Sequence, residues 1–95
     1  MPVRIDPEHN EQFALSLIDA GFAGARVLEI GCGDGRLTRV IAKDARSVVA
    51  IDSDAAAVAE LRRGAPRNVE ALAYEFESFE PGPRRFEVVV FSWSL

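Results

Sequence analysis

Residues 29–36 read Glu-Ile-Gly-Cys-Gly-Asp-Gly-Arg, three alternating glycines with acids at Glu29 and Asp34. Glycines let a bend take positive φ and let a ligand approach with no Cβ in the way. Between a strand and a helix, such a bend is expected to aim free backbone N–H groups and a helix N-terminus into the crevice at the strand's carboxyl end. Dinucleotide turns are spaced G-x-G-x-x-G. Here Gly31, Gly33 and Gly35 are spaced G-x-G-x-G, and Arg36 stands where the third dinucleotide glycine would fall. The acids repel a pyrophosphate and attract a sulfonium or an ammonium group. The ligand that fits is a nucleoside with positive charge at one end.

A further acid follows at Asp52, seventeen residues past Gly35 and twenty-one past Gly31. At the end of the next strand a carboxylate accepts charge-assisted hydrogen bonds from two vicinal ribose hydroxyls. Cys32 is read as a small buried filler, since no paired base stands by to activate its thiol. His9, the single histidine, reads as a solvated helix residue. Phe76 and Phe79 fit either core packing or an adenine. Trp93 packs or marks the mouth of the site. No metal site and no catalytic base is assigned.

The elements that must position these residues are legible from apolar spacing and turn chemistry. A helix is predicted from Asp6-Pro7-Glu8, with Asp6 as N-cap, carrying Phe13, Leu17 and Ile18 on one face. Buried strands are predicted at 26–30 and 47–51, the second ending at Asp52, with others at 69–74 and 86–91. Helices are predicted at about 35–43 and at 55–63, the latter opened by Asp54 and stopped by Gly64-Ala65-Pro66. Strands alternating with helices imply a doubly wound, mainly parallel α/β sheet with right-handed crossovers.

With these motifs in order, the chain resembles the class I, Rossmann-like S-adenosylmethionine-dependent methyltransferases. Val27-Leu28-Glu29-Ile30-Gly31-Cys32-Gly33-Asp34-Gly35 resembles their first motif. Val49-Ala50-Ile51-Asp52 resembles the strand that ends in the ribose-binding acid. Tyr74-Glu75-Phe76-Glu77-Ser78-Phe79 looks like the third-strand loop, with Glu for the commoner Asp and Phe76 for a small residue. Phe86-Glu87-Val88-Val89-Val90 looks like the fourth strand. The resemblance implies four strands in the order 3-2-1-4 and S-adenosylmethionine as cofactor. It places Glu29, Gly31, Cys32, Gly33, Asp34, Gly35, Asp52, Ser53, Glu75 and Phe76 at the cofactor, with Glu29 at the ammonium group and Glu75 at the adenine amino group. Two alternatives stay open at this point: a nucleotide-binding oxidoreductase domain and a non-catalytic interaction module.

Ninety-five residues with 48% hydrophobic and 27% charged side chains suit one globular domain, with 1–24 as an N-terminal helix region and 25–95 as the core. The family's further strands would follow Leu95, so a truncated domain is expected, its fourth strand an exposed edge open to a dimer partner or a missing half. A net charge of −4, with basic residues scattered along the chain, argues against nucleic acid and for a small-molecule acceptor. One cysteine and no signal peptide or membrane span lead to the expectation of a cytoplasmic protein without membrane contact.

Overall fold

The computed structural model describes residues 22–92, together with the backbone of residues 2–5. The helix expected from Asp6, with His9, and Trp93 lie outside the described residues. In chain order the elements are β1 (Pro2–Ile5), β2 (Arg26–Ile30), α1 (Arg36–Ala42), β3 (Ser47–Asp52), α2 (Ala55–Arg62), β4 (Val69–Ala73), a 3-10 turn (Phe76–Ser78) and β5 (Val88–Ser92). All strands pair in parallel in the order β1-β5-β2-β3-β4. Read from β4 to β5, this contains the expected 3-2-1-4 arrangement.

The central strands are apolar at successive positions because both of their faces are buried. Val27, Val48, Ala50 and Val90 turn to one face, where Leu37 and Ile41 of α1 and Val58 and Leu61 of α2 cover them. Leu28, Val49 and Ile51 turn to the other, under Phe79 and Phe86. The β4–β5 connection carries both phenylalanines, so it crosses this second face. The winding therefore reverses between β2 and β5, and such a reversal opens a crevice at the carboxyl ends of the strands. Asp54 starts α2 as its N-cap, its Oδ1 accepting from the Ala56 and Ala57 amides.

Two expectations are corrected. The last strand starts at Val88 rather than residue 86. Phe86 packs on the sheet face, and Glu87 takes both the backbone amide and the guanidinium of Arg26. That guanidinium, hydrogen-bonded to the carboxylate, holds the Glu87 carboxyl down at about 2. The fourth-strand edge is also not open: β5 pairs with β2 on one side and with β1 on the other, from Pro2↔Val89 to Ile5↔Ser92. Four residues with two apolar side chains are too short a run for periodicity to reveal such a strand.

Gly35 sits at φ +90° where α1 meets α2, and a Cβ built there lies 2.2 Å from Leu61 Cδ1. Leu61 is fully buried, so neither side chain has room to move. Gly35→Ala is expected to destabilise the fold by about 2–4 kcal/mol, from backbone strain plus overpacking. A lower urea midpoint at unchanged slope is the readout; a loss under about 0.5 kcal/mol would mean that the helices are not in this close contact.

Candidate functional site

At the carboxyl ends of β2, β3 and β4 lies a crevice of about 210 Å³, lined by Ile30, Gly31, Ile51, Asp52, Ser53, Tyr74, Glu75, Phe76 and Glu77. Among the expected residues, the fold brings Gly31, Asp52, Ser53, Glu75 and Phe76 to this lining. Sequence reasoning missed Ile30, Ile51, Tyr74 and Glu77. The isoleucines immediately precede Gly31 and Asp52, and that adjacency was the available signal. Three carboxylates face the crevice, and its lining holds no lysine or arginine. Tyr74 and Phe76 stand half exposed at its edge, held by edge-to-face contacts with Phe79 and Phe91 respectively.

Asp52 organises the glycine turn. Its Oδ2 accepts from the Gly33 amide and its Oδ1 from the Asp54 amide, each at 2.8 Å. The Gly31 and Cys32 amides donate to the Ile51 carbonyl at 2.9 and 3.1 Å, and the Gly35 amide donates to Cys32. The expectation of free N–H groups aimed into the crevice is therefore corrected for these four residues. Their amides pin the turn to the end of β3, because a buried backbone donor must find a partner. The positive φ of Gly31, Gly33 and Gly35 makes that pinning possible.

Glu29 lies below the crevice rather than on its wall. It is fully buried, its two oxygens accepting from the hydroxyls of Thr38 on α1 and Ser92 on β5. Burial pushes its carboxyl above the usual range, opposed by those two hydrogen bonds. The carboxylate ties three elements together directly beneath the turn, with the Ser92 hydroxyl also 3.4 Å from the Gly31 carbonyl. Cys32 is buried against the same turn, and burial raises its thiol well above the ordinary value. A neutral, buried thiol is no nucleophile. Asp34 is exposed on the turn, its carbonyl accepting from Arg39.

Residues 27–95 match the family model described as "Methyltransferase domain". The chain is 35% identical over 80% of its length to a 23S rRNA (uracil(1939)-C(5))-methyltransferase of Stenotrophomonas maltophilia. It is 42% identical over 66% of its length to an rRNA adenine N-6-methyltransferase of Bacteroides fragilis. It spans about a fifth of these curated relatives, 18% and 24% of their lengths. Among solved structures, a DhpI complex with SAH superposes at a TM-score of 0.75 with 30% identity, covering 90% of this chain and 41% of that one. The 23S rRNA methyltransferase ErmE superposes at 0.69 with 29% identity, covering 83% and 34%. These relatives overturn the expectation that nucleic acid is an unlikely partner. Net charge sums the whole chain, whereas recognition of an anion depends on where the cations lie.

Proposed function

We propose, for a chain that belongs to the methyltransferase-domain family, that it forms the S-adenosylmethionine site of an enzyme that methylates RNA. The observation that carries the cofactor is the crevice lining, in which Asp52, Glu75 and Glu77 meet apolar Ile30 and Ile51 and no cation. That set of acceptors suits a nucleoside with positive charge and would repel the pyrophosphate of a nicotinamide dinucleotide. The oxidoreductase reading is accordingly set aside.

In this assignment Asp52 accepts the ribose hydroxyls, Glu75 accepts the adenine amino group, and Phe76 packs against the base. When bound, the cofactor supplies a methyl group on positively charged sulfur, so the protein need offer no nucleophile of its own. The chain's task is to hold donor and acceptor in line, an effect worth up to roughly 7–11 kcal/mol. Glu29 acts as a positioning residue beneath the turn.

The rRNA acceptors of the similar proteins support RNA as the substrate class. Calorimetry tests the cofactor: S-adenosylhomocysteine should bind and NADH should not, and the reverse result rejects the assignment. Transfer of a labelled methyl group to ribosomal RNA by the whole enzyme tests the acceptor. Label that reaches only small molecules would reject RNA.

A further inference from the structure

At the opposite end of the sheet, the amino ends of β2, β3 and β4 border a groove of about 570 Å³. Arg26, Arg67, Arg84 and Arg85 line it, and Glu70 is its one acid. Arg26 is held by Glu87 and Arg84 by Glu70, the latter at 3.1 Å. Arg67 and Arg85 make no ion pair among the described residues, and both are exposed. A chain of net charge −4 thus gathers arginines at one groove.

Shared lining residues place one further hollow, which Glu80 also lines, between the groove and the crevice. Arg84 also lines an adjoining hollow of about 300 Å³ that contains Leu72, Phe79 and Tyr74, and Tyr74 lines the crevice in turn. From end to end the sheet measures about 17 Å, the rise of β3 from Ser47 to Asp52, a distance that a few nucleotides span. Cations that hold a backbone, with an exposed aromatic beside them on which a base can stack, are a pattern of single-strand binding. Guanidinium groups suit phosphates because their paired donors match phosphate oxygens.

We propose that this groove is an RNA contact, in which Arg67 and Arg85 hold backbone phosphates of the acceptor strand as it runs toward the cofactor's end of the sheet. The proposal rests on the RNA reading above. The test is fluorescence anisotropy of the 95-residue chain with a labelled single-stranded RNA of mixed sequence over a range of salt. Arg67→Ala/Arg85→Ala should bind about tenfold more weakly near 0.15 M salt, and its slope of log K against log salt should be shallower by about 1.4, two phosphate contacts' worth. Lys43→Ala/Arg63→Ala, which removes two exposed cations on the helical side, should change affinity less than about threefold and leave the slope near that of the parent. Affinity for S-adenosylhomocysteine should stay unchanged in both variants, showing that each is folded. Equal RNA affinity and slope in parent and groove variant, or an equal loss in both variants, overturns the groove and leaves the RNA acceptor standing. If the parent binds no RNA even at low salt, the groove proposal falls, and the methyl-transfer assay alone decides the acceptor.

Discussion

Asp52→Ala is expected to weaken S-adenosylhomocysteine binding at least tenfold, and a hundredfold or more if both ribose bonds are lost. Hydrogen bonds to a charged group contribute about 1.5–3 kcal/mol each, and two would be lost with the ribose. The same substitution releases the Gly33 and Asp54 amides from their 2.8 Å bonds, so the turn itself loosens. A double-mutant comparison separates the two effects. The parent should prefer S-adenosylhomocysteine to its 2′,3′-dideoxy analogue, and Asp52→Ala should bind both alike. Unchanged affinity by calorimetry rejects the ribose role. A weakened affinity that keeps the ribose preference leaves Asp52 only its structural part in the turn.

The second large effect belongs to Glu29. Glu29→Ala leaves the buried Thr38 hydroxyl without its acceptor, leaves the buried Ser92 hydroxyl only its longer bond to the Gly31 carbonyl, and opens a cavity. Unsatisfied buried polar groups cost about 1–3 kcal/mol each. A total near 2–5 kcal/mol is expected, or a fall in melting temperature of about 10–30 °C for a domain of this size. Glu29→Gln behaves differently: its amide can accept from one hydroxyl and donate to the other without burying a charge. The pH dependence follows from the raised carboxyl, since the folded state holds its proton more tightly than the unfolded chain, whose carboxyl titrates near 4.5. Glu29's contribution to stability is then full below that pH and lost as pH rises through the folded-state value. Glu29→Gln should therefore gain on the parent as pH rises across that window, then run parallel to it. Urea titrations at several pH values provide the check, and a difference that is flat with pH, or that grows on acidification, contradicts the buried-carboxylate account.

Glu29 also shows the limit of motif reading. Its type and place at the end of an apolar strand marked it as important, yet sequence could not tell an acid facing a ligand from one held beneath the turn. That depends on Ser92, sixty-three residues away. Glu75 and Phe76 met the crevice despite their looser match to the family, because β4 ends level with β3: Asp52 pairs with Ala73.

The sequence by itself determined the alternation of strands and helices, the sheet order of its four core strands, the glycine turn and the family. The alternation and the turn rest on periodicity, caps and glycines, which act over a few residues or within one crossover; the sheet order and the family rest on the resemblance that the motifs carry. Only the tertiary structure decided that Pro2–Ile5 closes the edge of β5, that the turn's amides are engaged with Ile51 and Asp52, and that Arg26, Arg67, Arg84 and Arg85 share one groove. Each of these joins segments far apart in the chain, and local spacing carries no information about which distant groups parallel pairing will set side by side.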